Sequence, residues 1–194
     1  MTLKMAAQGV YWSIQGEGHM AGHPMTFVRL AGCSVGCPQC DTNYRHASDV
    51  SAAAIVSECQ RIHDETGRGK YVWITGGEPT DQDLSTLNNL LWRAEFKPCL
   101  ATSGIMKVDL PWWVLSVSPH SADFEQRGGS ELKLVHGLNG LDIESIDLSG
   151  ISFAHKFVQP MAGDRESVRA CLRFMRSRKD FLMSPQYHKE WMLP

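Results

Sequence analysis

The stretch TFVRLAGCSVGCPQCDT, residues 26–42, runs from a short apolar segment directly into a loop with three cysteines. Residues 26–31 have the length and the β-favouring composition of a buried strand, and the glycines and proline after them are typical of a loop. Cys33, Cys37 and Cys40 follow in C-x3-C-x2-C spacing. We therefore expect three thiols to meet at the carboxyl end of a strand.

Apolar runs of strand length recur along the rest of the chain. With the first one they cover residues 26–31, 71–75, 98–103, 113–118, 131–135 and 155–160. Amphipathic patterns between or after them predict helices: one capped by Ser48 and ended by Gly67, one over 83–94 and one over 164–179. Strand, helix and strand in succession predict parallel pairing with right-handed crossovers.

The predicted fold class is therefore α/β. A closed eight-stranded barrel takes about 250 residues, whereas this chain has 194. About six mainly parallel strands predict a partial, TIM-like β/α barrel, formed as a single domain over residues 1–194. In such folds the chemistry lies at the carboxyl ends of the strands.

Composition narrows the class of protein. The first residues lack the pattern of a secretory signal, and no apolar window approaches the length of a membrane span. We therefore expect a cytoplasmic protein with no membrane partner. A formal net charge of -2 gives no basic footprint, so direct nucleic-acid binding is not indicated and a small-molecule substrate is.

In the cytoplasm, clustered cysteines more often bind metal or do redox chemistry than form disulfides. Three thiolates can hold three irons of a 4Fe-4S cluster and leave the fourth iron open to another ligand. A structural zinc site completed by His46 or a distant cysteine is an alternative, as are three unrelated thiols. Cys59, Cys99 and Cys171 lie in apolar patterns, where cysteine acts as a small hydrophobic residue.

The cysteine loop resembles that of the radical S-adenosylmethionine (SAM) superfamily, whose open cluster iron chelates SAM. Residues 75–79, TGGEP, end a predicted strand and are similar to the superfamily motif that receives the SAM amino group, although two glycines after a strand are also an ordinary turn. The resemblance implies a barrel of the radical SAM type. It also implies SAM contacts at Gln39, Cys40, Asp41, Gly76, Gly77 and Glu78, with Gln39 standing where the superfamily usually has an aromatic residue.

Longer stretches resemble the 7-carboxy-7-deazaguanine synthases within that superfamily. They are YWSIQGEGHMAGHPMTFVRLAGC (11–33), CDT (40–42), SVSPH (116–120), KFVQPMAG (156–163) and SPQYHKEWMLP (184–194). This resemblance implies further SAM contacts at Ser118, Pro119, His120, Gln159, Pro160, Met161 and Ala162. The family generally has lysine where this chain has His120.

Arg29 shares a predicted strand face with Phe27 and Ala31, which points its guanidinium into the interior. A buried charge needs a partner, either an internal carboxylate or the carboxylate of a substrate. The QGEG loop at 15–18 is either an exposed turn or a wrap around a ligand. The family substrate, 6-carboxy-5,6,7,8-tetrahydropterin, implies substrate contacts at Ile14, Gln15, Gly16, Glu17, Arg29, Thr75, His188 and Pro194.

The same resemblance implies the rest of the chemistry. Thr42 would ligate Mg2+, although residues 41–42 also fit an ordinary turn. Hydrogen abstraction at C6, ring contraction and ammonia loss would give 7-carboxy-7-deazaguanine for queuosine or other deazapurines. An electron donor such as flavodoxin or ferredoxin and a homodimer are implied, and no catalytic acid or base is assigned. A glycyl-radical activating enzyme and a non-catalytic zinc-stapled binding module are the alternative functions.

Overall fold

The computed structural model describes residues 1–38, 40 and 42–193, and this part of the chain forms one nine-stranded sheet. The strands are β1 (Thr2–Ile14), β2 (Pro24–Leu30), β3 (His46–Ser51), β4 (Tyr71–Gly76), β5 (Lys97–Thr102), β6 (Val114–Val117), β7 (Gly128–Val135), β8 (Ser152–Gln159) and β9 (Leu182–Met183). The α-helices are α1 (Ala52–Thr66), α2 (Ser85–Arg93), α3 (Arg165–Ser177) and α4 (Tyr187–Glu190).

The six predicted parallel strands are confirmed, and they lie side by side in chain order. The sheet order is β3-β1-β2-β4-β5-β6-β7-β8-β9. From β2 to β9 every neighbouring pair is parallel, whereas β1 pairs antiparallel with both β2 and β3. Parallel strands that neighbour one another in chain order are typical of a β/α barrel, but here the sheet does not close.

Two expectations about the helices need correction. The N-cap of α1 is Ser51, whose Oγ accepts from the Ala54 N–H, whereas Ser48 lies in β3 opposite Met5. Gly67 does end α1, in the left-handed conformation. The alternation of strand and helix is also incomplete, because the described connections from β5 to β6, from β6 to β7 and from β7 to β8 contain no α-helix.

The sheet is strongly curved. The β1–β2 hairpin loop lies beside β2, yet Gly18 packs against Glu131 of β7, and three other strands separate β2 from β7 in the sheet. Neighbouring strands lie about 4.8 Å apart, so a flat sheet would keep these residues far from contact. The loop therefore spans the open side of an incomplete barrel.

Strand residues divide between two faces. Val28 and Leu30 of β2, with Val72 and Ile74 of β4, pack in one core cluster with apolar residues of α1 and α2. The alternate positions turn inward and belong to the inner cluster or to the cavity described below. None of the helices in the described residues has both the length and the apolar character needed to cross a bilayer.

Candidate functional site

A cavity of about 730 Å³ occupies the inside of the curved sheet. The predicted site residues among its walls are Ile14, Gln15, Gly16, Glu17, Arg29, Cys33, Cys37, Cys40, Thr42, Thr75, Gly76, Gly77, Glu78, Ser118, His120, Gln159, Met161 and His188. Three others do not reach the walls: Pro119, Pro160 and Ala162. Gln39, Asp41 and Pro194 lie outside the described residues.

The three loop cysteines are free thiols facing this cavity. Burial raises the pKa of the Cys37 thiol, and electrostatic interaction with Cys33 and Cys40 raises it further. Among the described residues, no three His, Cys, Asp or Glu side chains are arranged around one metal ion. Three thiols on one cavity wall can hold three irons of a 4Fe-4S cluster and leave the fourth iron open to another ligand, so the donor set fits such a cluster.

The zinc alternative loses His46, one of its two proposed kinds of fourth ligand. His46 is an exposed residue of β3, where it pairs with Ala6 and lies 3.4 Å from Asp49. It is absent from the residues that line the cavity with the three thiols.

The cysteine loop is held by the segment that follows β4. The Asp81 carboxylate accepts from the backbone N–H and from the hydroxyl of Ser34, both at 2.7 Å. The backbone N–H of Glu78 donates to the Gly32 carbonyl at 3.0 Å. Because of this close approach, a Cβ on Gly77 would lie 1.5 Å from the Gly32 oxygen. The lack of a side chain at Gly77 therefore allows the two predicted motifs to pack against each other, independently of any contact with a ligand.

Glu78 is a buried carboxylate that joins the ends of β4 and β5. Oε1 accepts from the backbone N–H and hydroxyl of Thr80 and from the Thr102 hydroxyl, and Oε2 accepts from the N–H and hydroxyl of Ser103. These five hydrogen bonds exceed the roughly four lone-pair positions of a carboxylate. The side chain therefore fixes the strand ends, and its geometry gives no support to a direct contact with SAM.

Arg29 projects into the cavity without a carboxylate partner among the described residues. One guanidinium nitrogen donates to the Thr42 hydroxyl at 3.0 Å, and another donates to the Tyr11 hydroxyl. Its Nε is buried and has no hydrogen-bond partner in the part of the chain that the structure describes. The alternative of an internal Arg–Glu pair is therefore wrong, and a half-buried cation remains available to an anionic ligand.

Glu17 lies at the centre of a polar cluster on the hairpin loop. Lys133 of β7 donates to its Oε2, while the side-chain amides of Gln159 and Gln186 donate to its Oε1, each at 2.9 Å. Burial by itself would raise the pKa of this carboxyl. Lys133, Gln186 and His188 together outweigh burial and lower the pKa to about 2. Glu17 is therefore ionised, and the interpretation of QGEG as an exposed turn is wrong.

His120 touches the cysteine loop, with its Nδ1 2.7 Å from the Cys37 sulfur. Burial and the positive charge of Lys133 lower the pKa of this imidazole, against the opposing effect of Glu78. A neutral ring is therefore favoured beside a sulfur that faces the cavity.

The polar wall residues that the sequence analysis missed include Glu131 and Lys133 of β7 and Gln186 of the C-terminal segment. Glu131 is buried and accepts from Ser116 and from the ring and backbone of His19. The available signal was the sequence ELKLV, in which two opposite charges stand two residues apart in an apolar strand. Such residues share one face, and a buried face with charges indicates a site.

Comparison with known proteins gives a consistent result. The chain is 30% identical over 216 aligned positions to 7-carboxy-7-deazaguanine synthase of Escherichia coli (strain K12), covering 93% of this chain and 95% of that protein. It is 29% identical over 214 positions to the synthase of Prochlorococcus marinus, covering 94% of each. The match to the synthase of Rickettsia prowazekii (strain Madrid E), 32% over 111 residues, covers 56% of this chain and 47% of that protein. No protein-family model matches the chain.

Among solved structures, QueE from Escherichia coli has the same fold. Its TM-score is 0.70 at 23% sequence identity, with 95% of this chain and 93% of that chain covered. The open barrel and the cysteine loop have the arrangement expected of a radical SAM enzyme, a class that uses an iron–sulfur cluster and SAM and that includes the relatives named above. Because a relative at 30% identity aligns over nearly the whole length, the chain belongs to the family of 7-carboxy-7-deazaguanine synthases.

Proposed function

We propose that this enzyme converts 6-carboxy-5,6,7,8-tetrahydropterin into 7-carboxy-7-deazaguanine, using a 4Fe-4S cluster, SAM and Mg2+. The observation that carries the proposal is Arg29, a cavity cation with a buried, unpartnered Nε and no carboxylate partner in the described residues. Planar guanidinium groups bind carboxylates in bidentate geometry. The carboxylate of the pterin would supply the missing anion.

The hairpin loop supplies a second anchor. Glu17 is an ionised acceptor on the cavity wall, and residues 14–16 line the same wall. The ring edge of a pterin carries N–H donors, which a carboxylate and main-chain carbonyls can accept. Thr75, beside Arg29 in the parallel register of β2 and β4, and His188 of the C-terminal segment complete the proposed substrate contacts.

The cofactors would bind on the other motifs. Cys33, Cys37 and Cys40 would hold the cluster, and the backbone of Gly76 and Gly77 would receive SAM with the ends of β6 and β8. When bound, the reduced cluster and SAM would supply the radical chemistry: a hydrogen taken from C6 would be returned after the ring contracts, so that the loss of ammonia involves no net oxidation. The chain itself fixes the substrate near that radical and excludes water. No residue is assigned as acid or base.

Thr42 is the proposed protein ligand of Mg2+. Its hydroxyl lies on the cavity wall and accepts from Arg29 at 3.0 Å, so a metal held there would be next to the guanidinium. A neutral hard oxygen suits Mg2+, which takes few protein ligands. The proposal also includes an electron donor such as flavodoxin or ferredoxin, a homodimer, and a product used for queuosine or other deazapurines.

The decisive experiment is anaerobic reconstitution with iron and sulfide, followed by incubation with SAM, reductant, Mg2+ and the carboxytetrahydropterin. Mass analysis should detect 7-carboxy-7-deazaguanine. Cys37→Ala should abolish SAM cleavage, whereas Cys59→Ala, which removes a buried thiol outside the loop, should retain it.

Arg29→Ala tests the substrate assignment separately. The variant should cleave SAM slowly without making the ring-contracted product, because the cofactor site is intact and the carboxylate anchor is lost. Normal product formation by Arg29→Ala would overturn the role of Arg29. Wild-type protein that binds zinc rather than iron, or makes no product, would overturn the function.

A further inference from the structure

The cluster around Glu17 contains two orphaned hydrogen-bond acceptors. Gln159 at the end of β8 and Gln186 before α4 both line the cavity. Each donates its amide N–H to Glu17, and each has its own carbonyl oxygen buried with no partner among the described residues. Buried polar atoms of native proteins are nearly always paired, so an unpaired set beside a cavity indicates a missing ligand.

The negative charge of Glu17 determines which end of each glutamine amide faces it. A carboxylate only accepts hydrogen bonds, so each glutamine must turn its nitrogen towards Glu17 and its oxygen away. The last side-chain torsion of glutamine is broad, and a small rotation can bring that oxygen to the cavity surface without losing the bond to Glu17. Each of the two uncharged amides can thereby present its oxygen to the cavity as a hydrogen-bond acceptor.

Lys133 secures this arrangement from β7. Its ammonium donates to Glu17 Oε2, the oxygen that neither glutamine uses. A carboxylate has about four lone-pair positions, and the described contacts leave one on Oε2. Glu17, Gln159 and Gln186 can then each offer one oxygen as a hydrogen-bond acceptor to a ligand in the cavity.

We propose that Gln159 and Gln186 are specificity-determining residues that recognise the N–H-bearing edge of the substrate ring together with Glu17, and that Lys133 is the positioning residue that sets their polarity. This inference rests on the proposed function, because it requires a pterin-like substrate in the cavity. It reassigns the Gln159 side chain from SAM to the substrate. It also gives roles to Lys133 and Gln186, which the sequence did not single out.

The first test removes one acceptor. Gln186→Leu is compared with the wild type for binding of the carboxytetrahydropterin and of its 2-deamino analogue, which lacks an amino donor. Binding is measured by anaerobic equilibrium dialysis on cluster-reconstituted, SAM-loaded protein without reductant. The wild type should discriminate against the analogue by ~10- to 100-fold, because acceptors in a buried site are left unpaired. Gln186→Leu should lose most of that discrimination.

The second test addresses Lys133 through pH. Among the described residues, the charged or titratable groups facing Glu17 are Lys133 from β7 and His188 from α4, and Lys133 also interacts with Glu131 and His120. In the wild type the low pKa of Glu17 keeps the carboxylate ionised from pH 5 to 8. Lys133→Met leaves burial as the dominant influence, so the pKa of Glu17 rises.

The ratio of dissociation constants, Lys133→Met over wild type, should therefore increase as the pH falls from 8 to 5. This ratio cancels the titration of the ligand itself. Lys133→Arg keeps the charge and should give a nearly flat ratio. Repeating the comparison of Lys133→Met with Lys133 in proteins that also carry His188→Asn removes any contribution of the His188 side chain to the pH dependence.

The outcomes separate the two proposals. If the wild type makes no product from the carboxytetrahydropterin, the proposed function fails. If it makes product but Gln186→Leu still discriminates as strongly as the wild type, the assignment of the amides is wrong. A flat ratio for a folded Lys133→Met overturns the role of Lys133. If that variant does not fold, a pH-dependent ratio for Lys133→Arg overturns the role instead, because charge would not set the polarity.

Discussion

At the scale of single residues, the two motifs that resemble radical SAM enzymes depend on each other for backbone space. Gly77 lies against the Gly32 carbonyl, and Gly76 lies against the backbone of Leu30 with φ of 129°. Side chains at either position would collide with main-chain atoms, which cannot move aside as a flexible side chain can. The glycines therefore have a packing reason to be there, in addition to any contact with a cofactor.

Gly77→Ala should consequently damage both the fold and the cluster loop. We expect a loss of about 3 kcal/mol in the free energy of unfolding, the upper part of the usual range for overpacking, and a markedly lower iron content after reconstitution. Gly150→Ala is the matched control, since φ there is 68° but no atom lies within 4 Å of the added Cβ. That change should cost about 1–2 kcal/mol from backbone strain and leave iron binding intact. Equal iron content in the two variants would contradict the packing argument.

The ionised state of Glu17 makes a prediction about acid stability. Its pKa is about 2 in the folded protein against 4.5 for the unperturbed carboxyl. The stabilisation is fully present above pH 4.5 and is lost as the pH falls towards 2. Between pH 6 and pH 3 the wild type should lose about 2 kcal/mol more of its unfolding free energy than Glu17→Gln. Urea unfolding at the two pH values measures this difference, and Glu65→Gln, an exposed residue of α1, should behave as the wild type does.

Sequence patterns at this scale revealed some residues and hid others. Arg29 could be predicted because its strand alternates cleanly, so its position alone indicates the interior. Lys133 could not be assigned a partner, because Glu17 is far away in sequence and meets it only when the hairpin loop spans the open side of the barrel. The curvature of the sheet determines which charged residues pair with each other. The local periodicity of the sequence does not encode that curvature.

At the scale of elements, α1 shows how one residue sets a helix boundary. Ser48 and Ser51 both precede the apolar stripe, and either fits the preference for serine at an N-cap. In the structure Ser51 caps the helix because β3 extends through residue 51 to pair with β1. Pairing between strands, a long-range contact, decides between two locally equivalent caps.

Ser51→Ala should therefore lower the unfolding free energy by about 1 kcal/mol, the usual cost of losing an N-cap side chain. Ser48→Ala, three residues earlier on an exposed strand, should change it by less than about 0.5 kcal/mol. The urea midpoints of the two variants give the comparison directly. A larger effect at Ser48 than at Ser51 would restore the original cap prediction.

The six parallel strands were predictable because each contains a short apolar run with buried residues. The antiparallel strand β1 and the two edge strands, β3 and β9, were not. β1 mixes exposed and buried residues over 13 positions with an irregular register between Met5 and Val10, β3 is mostly exposed, and β9 has only two residues. Edge strands carry weaker hydrophobic patterns because one side lacks a neighbour, so their pairing has to be seen in the structure.

At the scale of the whole molecule, the cavity is closed by two segments distant in sequence. The Tyr187 N–H donates to the Gly16 carbonyl, Gln186 donates to Glu17, and a Cβ on Gly16 would collide with His188. Lys189, Met192 and Leu193 also line the cavity. The segment after β9 thus covers the hairpin loop, while the main core clusters are built from earlier residues.

Shortening the chain after Pro185 should therefore separate stability from substrate binding. Residues 186–193, the described part of the removed segment, contribute to none of the three core clusters, and Trp191 and Met192 are exposed, so the melting temperature should fall by only a few degrees. Affinity for the carboxytetrahydropterin should drop at least ~10-fold, since charge-assisted contacts around Glu17 are lost. Cleavage of SAM without substrate should persist, because the cysteine loop and the β4 turn remain. Trp191→Ala controls for loss of surface area alone, and a shortened chain that binds the pterin as tightly as the full chain would show that the segment is not part of the site.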